Sequence, residues 1–396
     1  MKVDLVILAG GIGNRIKKFT KKTPKPLIKI NNKTFLEILI RNFSKYNFEN
    51  IYILAGYKGQ QIYKKFHNKI FNFVKVKCFI EKKKLNTWGA VNNIKKAINN
   101  NFILTNGDSL INFNFHNFIY KKIYKNSDIK MILVKNQKYK SNKTLAGLKL
   151  FKNRVIFSKH SKYMNGGVYF INRRLLRTNK YVKFRSLENY VIPDLIDRQK
   201  IEGIKTNNFF LDIGTYKNLK FAKKKLSLKL KNRACFLDRD GVINYDKGYT
   251  SQWCKFKFKK NVKKGLQLLV KNNFLIFIVT NQAGIAKDFF KEKDFIRLHK
   301  KIKSHLAHRG IYFNDVKYCP YHPDAILKKY RKNTQFRKPG NLMIKEITKE
   351  WDIDIKKSVM IGDQVSDKIA AERSGIYFEY SKNDFYEQVK NYIKKN

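Results

Sequence analysis

Two aspartates spaced i and i+2 follow an apolar run deep inside this 396-residue chain: Phe236-Leu237-Asp238-Arg239-Asp240-Gly241-Val242-Ile243-Asn244. The run Ala234 to Leu237 has the composition of a buried strand. Alternate strand residues share a face, so both carboxylates can enter one site. Gly241 then lets the backbone turn away sharply. A paired-carboxylate turn at this position marks the start of a second catalytic domain. The residues before it require a domain of their own.

The chain exceeds the size at which one core usually suffices, so two domains are expected. A hydrophobic content of 43%, with 14% aromatics, excludes a disordered basic chain. No apolar run approaches the length of a membrane span. The opening Met1 to Ala9 is too short for a signal peptide and leads straight into a glycine motif. Cys78, Cys235, Cys254 and Cys319 are scattered, which argues for reduced thiols and a cytoplasmic location. Lys and Arg number 86 against 29 Asp and Glu, a net charge of +57. The lysines are spread along the chain, with only short runs such as Lys82-Lys83-Lys84, and no recognition-helix, zinc-finger or RNA-binding signature accompanies them. The charge therefore reads as compositional drift, and neither nucleic acid nor membrane is the expected partner. A diffuse positive field would still concentrate small polyphosphate substrates.

Short apolar runs alternate with helix-like segments in both halves. Val3–Ala9, Ile51–Ala55, Val74–Ile80 and Phe102–Thr105 read as strands, with helices over Phe35–Phe43, Gln60–Phe66 and Ala90–Ile98. Ala234–Leu237, Phe274–Val279 and Val359–Ile361 repeat the pattern, with helices near Val262–Lys271, Phe295–His305 and Leu342–Lys349. Such alternation predicts βαβ units and mostly parallel sheets. The expected fold class is α/β, with two Rossmann-like α/β/α domains over residues 1–228 and 229–396. Ala222 to Asn232 reads as a polar connector or terminal helix.

In the first half, Leu8-Ala9-Gly10-Gly11-Ile12-Gly13-Asn14-Arg15 follows a strand, and Pro24-Lys25-Pro26-Leu27 comes ten residues later. Glycines there let backbone N–H groups approach phosphates, and Arg15 and Lys25 add cations. A glycine loop alone is as readily a structural turn. Combined with Pro-Lys-Pro-Leu it resembles the opening signature of the sugar-1-phosphate nucleotidyltransferases, a GT-A-like fold.

The resemblance continues through Gly56-Tyr57-Lys58, Asn106-Gly107-Asp108, Asn165-Gly166-Gly167-Val168-Tyr169, Phe184-Arg185-Ser186-Leu187-Glu188 and Phe210-Leu211-Asp212-Ile213-Gly214-Thr215. It implies Mg²⁺ on Asp108 and Asp212, and a hard cation does need oxygen ligands. It further implies Gly10, Gly11, Gly13, Asn165, Gly166 and Glu188 as substrate-binding residues. Arg15 would steady a triphosphate, and Lys25 the α-phosphate or sugar phosphate. The reaction implied is attack by a sugar 1-phosphate oxygen on the α-phosphate of a nucleoside triphosphate, releasing pyrophosphate. The set looks most like the heptose 1-phosphate guanylyltransferase branch, with GTP as the nucleotide. Two segments depart from the pattern. The base-binding turn reads Leu85-Asn86-Thr87-Trp88-Gly89-Ala90, where Trp88 would reshape or obstruct the nucleobase pocket. The usual Phe-x-Glu-Lys reads Phe157-Ser158-Lys159-His160.

In the second half, Asp238-x-Asp240-Gly241, Thr280-Asn281-Gln282-Ala283-Gly284-Ile285-Ala286, Arg337-Lys338-Pro339 and Gly362-Asp363 with Asp367 stand in order. They resemble the four motifs of the haloacid dehalogenase (HAD-like) phosphatases. The resemblance implies Asp238 as nucleophile and Asp240 as general acid and base. Mg²⁺ would be held by Asp238, Asp363 and the Asp240 carbonyl, with Asp367 orienting its neighbours. Thr280 and Lys338 would bind the transferring phosphoryl group, and Asn281 and Arg337 the substrate. Finer features, including Cys319-Pro320-Tyr321-His322-Pro323, resemble the heptose-bisphosphate and histidinol-phosphate phosphatase branch. That branch commonly carries a zinc loop. Here Cys319 and His322 cannot supply four tetrahedral ligands, so zinc is not expected, and Tyr321 and Phe336 are expected to hold the loop by packing. Gln364 also stands where lysine is usual in this branch.

A heptose 1,7-bisphosphate phosphatase makes what a heptose 1-phosphate nucleotidyltransferase consumes. Together the two resemblances imply a bifunctional enzyme taking heptose phosphates and GTP toward a nucleotide-activated heptose for surface polysaccharide. The same domain pair acting on another sugar phosphate, or a transferase half reduced to a binding scaffold, are the alternatives. Oligomeric state is left open.

Overall fold

The computed structural model describes residues 2–71, 74–120, 123–124, 126–135, 147–181 and 186–395. Phe184 and Arg185, part of one motif above, lie outside the described residues. The chain divides into two compact units, Lys2–Lys229 and Leu230–Asn396.

In the first unit, Val3–Ala9 is buried on both faces, as a central parallel strand is when covered on both sides, and all but Asp4 of its residues are apolar. It pairs in parallel with Ile51–Ala55 and Asn101–Asn106, and Val74–Ile80 extends the parallel half. Tyr163–Ile171 then runs antiparallel to both Asn101–Asn106 and Ile129–Lys135, and Ile201–Thr206 returns parallel to the latter. Among the described residues the sheet has ten strands and is mixed, less uniformly parallel than the alternating pattern predicts. The antiparallel strand was masked by Asn165-Gly166-Gly167. Its ladder slips register between Asn165 and Tyr169, an irregularity that glycines commonly mark. Phe35–Phe43 forms the expected helix. Its Thr34 hydroxyl accepts the Glu37 N–H as N-cap, and Phe35, Leu36, Leu39, Ile40 and Phe43 turn an apolar face inward. A separate antiparallel ladder sets Asp212 opposite Ser109, and so carries Asp212 to Asp108.

One helix lies earlier than periodicity suggested, over Asn86–Asn93 rather than Ala90–Ile98. Its Trp88 is wholly buried in the core among Val6, Tyr52, Leu104 and Tyr169. Gly89 lowers local helix propensity, and the apolar contact of Trp88 and Val91 overrides it. The expectation that Trp88 obstructs a nucleobase pocket is therefore corrected: the indole is part of the core.

The second unit holds a five-stranded, all-parallel sheet among the described residues. Its order is Asp315–Cys319, Phe274–Asn281, Arg233–Leu237, Val359–Gly362, Tyr377–Tyr380. The chain leaves Arg233–Leu237 to build first one side and later the other. A crevice at such a switch point, outside the carboxyl ends of the strands, is the usual ligand site of an open α/β sheet. Asp238, Asn281 and Asp363 all sit at those ends. Phe236, Phe277, Met343, Ile344, Ile347 and Met360 fill the core beneath. No helix among the described residues is long and apolar enough to cross a membrane.

Candidate active sites

In the first unit the Gly10–Gly13 loop leaves Val3–Ala9 and bends at Gly13, whose φ of 73° lies in the left-handed region. Loop and neighbour are closely packed: a Cβ on Gly56 would lie 2.8 Å from the Gly10 Cα. Lys25, nearly buried, sends its ammonium between two carboxylates, 2.6 Å from Asp108 Oδ2 and 3.2 Å from Asp212 Oδ1. Arg15 stands at the rim, 3.9 Å from Asp212 Oδ2. Gly214 completes this centre. Its N–H donates to Asp212 Oδ1 at 2.7 Å, and a Cβ there would lie 2.8 Å from both Arg15 Nη2 and Lys25 Nζ.

A second cluster lines the same unit. Asn165 Nδ2 donates to the Tyr169 hydroxyl at 2.6 Å, and the Gly167 N–H donates to Asn165 Oδ1. Glu188 accepts a 2.6 Å bond from the Thr87 hydroxyl, which itself accepts the Leu187 N–H. Burial, reinforced by the Glu188 charge, holds the Tyr169 phenol well above its ordinary range. Gly167, at φ 70°, packs on the Asn106 side chain and so ties this cluster to the strand end bearing Asp108. Thr87 and Gly214 had no role in the sequence reading, although both stand inside quoted motifs. His160 is exposed.

In the second unit Lys338 Nζ lies 2.9 Å from Asp238 Oδ1 and 2.5 Å from Asp367 Oδ1, and it donates to the Val279 carbonyl. Its backbone N–H donates to Asn281 Oδ1, so the loops of Thr280 and Lys338 are tied together. Asp367 Oδ2 accepts the N–H groups of Asp363 and Gln364, and it thereby orients the turn that presents Asp363. Carboxylate oxygens of Asp238, Asp363 and Asp367 lie within 4.8 Å of one another. Gly241, at φ 78°, makes this approach possible, since a Cβ there would fall 2.1 Å from Asp363 Oδ2.

Three acids with one buried ammonium leave excess negative charge. Burial pushes the Asp238 carboxyl up to about 6; Lys338 opposes the rise, and Asp367 and Asp240 add to it. Burial also raises Asp363. Asp363 Oδ1 is buried without a hydrogen-bond partner. An unmatched hard oxygen in an acidic cluster fits a divalent cation such as Mg²⁺. The Asp108–Asp212 pair offers the same donor type, with Lys25 now neutralising it.

Asp240 is held differently. The guanidinium of wholly buried Arg239 grips both its oxygens at 2.6–3.2 Å, and donates also to the Thr250 carbonyl. Asn244 and Gln282 add bonds of 2.9 and 3.1 Å to the same carboxylate, and Gln282 reaches Thr280 Oγ1 at 3.0 Å. Arg239 was visible only as a letter between two aspartates. Its burial and fork geometry needed the fold. Further out, Cys319 Sγ faces the Tyr321 carbonyl at 3.8 Å, His322 Nδ1 accepts the Asp324 N–H, and Tyr321 and Phe336 pack against the core. That is the packing expected for this loop. Arg337 Nη1 donates to the Tyr321 carbonyl at 3.4 Å, and Gln364 Nε2 to Asp363 Oδ2 at 3.1 Å.

Residues 5–228 match the nucleotidyl transferase family, and residues 238–392 match the polynucleotide kinase 3 phosphatase family. The D-glycero-β-D-manno-heptose-1,7-bisphosphate 7-phosphatase of Photorhabdus laumondii is 41% identical over 138 residues, 35% of this chain and 73% of that protein. The α-heptose 7-phosphatase of the same organism is 38% identical over 146 residues, 37% of this chain and 80% of its own length. The crystal structure of HddC from Yersinia pseudotuberculosis is 27% identical, with a TM-score of 0.47, over 57% of this chain and 99% of that one.

Proposed function

Because the chain belongs to the nucleotidyl transferase family and, in its second unit, to the HAD-type heptose bisphosphate phosphatases, we propose that it performs two consecutive steps of nucleotide-activated heptose synthesis. Residues 1–228 carry nucleotidyl transfer and residues 229–396 carry phosphate hydrolysis. The observation that carries this reading is the fusion itself: hydrolysis of a heptose 1,7-bisphosphate at C7 leaves the sugar 1-phosphate that a nucleotidyltransferase uses.

In the phosphatase step Asp238 attacks phosphorus, the ester P–O bond breaks, and Asp240 protonates the leaving alkoxide. Water then attacks the aspartyl phosphate, giving its proton to Asp240 and releasing inorganic phosphate. Lys338 and Thr280 hold the phosphoryl oxygens. Asp238, Asp363 and the Asp240 carbonyl would hold Mg²⁺, which would offset the repulsion between nucleophile and phosphate.

In the transferase step an oxygen of heptose 1-phosphate attacks the α-phosphorus of GTP, and pyrophosphate leaves. The Gly10–Gly13 loop and Arg15 hold the triphosphate, and Lys25 the α-phosphate. Asn165, Gly166 and Glu188 receive the sugar. Asp108 and Asp212 would hold Mg²⁺, which would neutralise phosphate charge. The product would serve surface polysaccharide synthesis from the cytoplasm.

The test supplies heptose 1,7-bisphosphate, each nucleoside triphosphate in turn, and Mg²⁺. Release of both phosphate and pyrophosphate, with GTP as the preferred nucleotide, is the expected outcome. Release of neither refutes the reading; release of phosphate alone refutes its transferase half.

A further inference from the structure

Tyr249 and Phe289 stack with ring centroids 4.4 Å apart and planes at 26°, yet they remain 45% and 62% exposed. Tyr249 is held there at some conformational cost. Its φ is 48°, while Phe289 follows a turn made by Asp288 at φ 58°, a conformation aspartate adopts readily. Bulky residues seldom adopt the left-handed region, and such strain gathers at functional sites.

The surroundings locate the stack beside the phosphatase centre. The Tyr249 ring abuts Gly284, where a Cβ would lie 2.8 Å from its Cδ1. Gly284 lies in the short helix Ala283–Ala286, just after Thr280 and Gln282. The next residue after Tyr249 is Thr250, whose carbonyl holds the Arg239 guanidinium that grips Asp240. Arg337, adjacent to Lys338, lies within electrostatic reach of the Tyr249 phenol. Lys287 Nζ stands 6.0 Å from the Tyr249 ring centroid. The stack thus lies beside the segments of Asp240 and Thr280 and near that of Lys338, three of the four that carry the phosphatase machinery, and a cation stands over the Tyr249 ring.

We propose that Tyr249 and Phe289 form an aromatic wall against which the sugar ring of the phosphate monoester rests, with Lys287 facing the substrate's second, non-reacting phosphate. A sugar ring presents a flat face of C–H bonds that packs on an aromatic plane, while its hydroxyls stay hydrated at the edge. Ligand sites commonly pair such apolar walls with a few placed charges. The proposal rests on the reading of this unit as a sugar bisphosphate phosphatase, and it adds what would select the sugar.

The test compares heptose 1,7-bisphosphate with acetyl phosphate, which has no sugar, in the full chain with Mg²⁺. Tyr249→Ala and Phe289→Ala are each expected to raise KM for the bisphosphate about tenfold, with kcat within about threefold. Their loss in kcat/KM for acetyl phosphate is expected to be much smaller, and Tyr249→Phe to restore the bisphosphate KM. Equal losses on both substrates mean a structural role and overturn the proposal, as does an unchanged bisphosphate KM. A wild-type protein that cleaves acetyl phosphate but shows no preference for the bisphosphate overturns the underlying reading together with the wall.

Discussion

Lys25 Nζ lies 2.6 Å from Asp108 Oδ2, in the place between Asp108 and Asp212 where positive charge is most needed. The lysine neutralises a carboxylate pair and stands ready to meet a phosphate. Lys25→Met leaves that pair without its nearest cation and removes the phosphate contact. Pyrophosphate release is expected to fall about 100-fold or more, by analogy with loss of a charged transition-state partner. Phosphate release from the bisphosphate by the second unit is expected to persist, and an assay reading both products checks the asymmetry.

Arg239 is the corresponding device in the second unit, a buried fork closed on Asp240. Arg239→Lys keeps the charge but cannot grip two oxygens at once. The expected result is a fall in kcat of roughly 10- to 100-fold with little change in KM, since orientation rather than binding is lost. Steady-state kinetics on the bisphosphate decide it; an unchanged kcat would show that Asn244 and Gln282 suffice.

The raised Asp238 pKa of about 6 sets a pH dependence of stability in metal-free protein. An unfolded aspartate titrates near 3.8, so between the two values the folded state binds more protons. Folding is then favoured at low pH, and stability drains away as pH rises from about 3.8 to about 6, the window set by the two values. The difference is worth at most about 3 kcal/mol. In EDTA, Asp238→Asn is therefore expected to match wild type at pH 3 and to exceed it at pH 7. Added Mg²⁺ is expected to stabilise wild type at pH 7 and the variant much less. Denaturant melts at the two pH values measure this, with the order of the two proteins at pH 7 as the deciding observation.

Trp88 belongs to the core of the first unit, so its removal should be felt in stability rather than nucleotide affinity. Trp88→Ala is expected to cost roughly 3–5 kcal/mol. Trp88→Phe, which keeps most of the packing, is expected to leave the KM for GTP unchanged. Chemical denaturation and transferase kinetics separate the two effects.

Much of this protein was legible before any fold was known. Asp238, Asp240, Thr280 and Asp363 stand in short motifs at strand ends, and strand ends are announced by apolar runs that local physics makes readable; Lys338 stands in the Arg-Lys-Pro motif before a helix. The alternation of elements and the presence of two units follow from the same local signals. What remained hidden is of another kind. Trp88 reads as an intrusion into a glycine turn until the helix Asn86–Asn93 turns it into the core. Arg239 is a bystander until burial closes its guanidinium on Asp240. Thr87 and Glu188 are 101 residues apart and meet only across the folded unit. Short-range order is encoded by neighbouring side chains and the period of their hydrophobicity. Which distant charge a buried group must face is decided only when the chain closes and water is excluded.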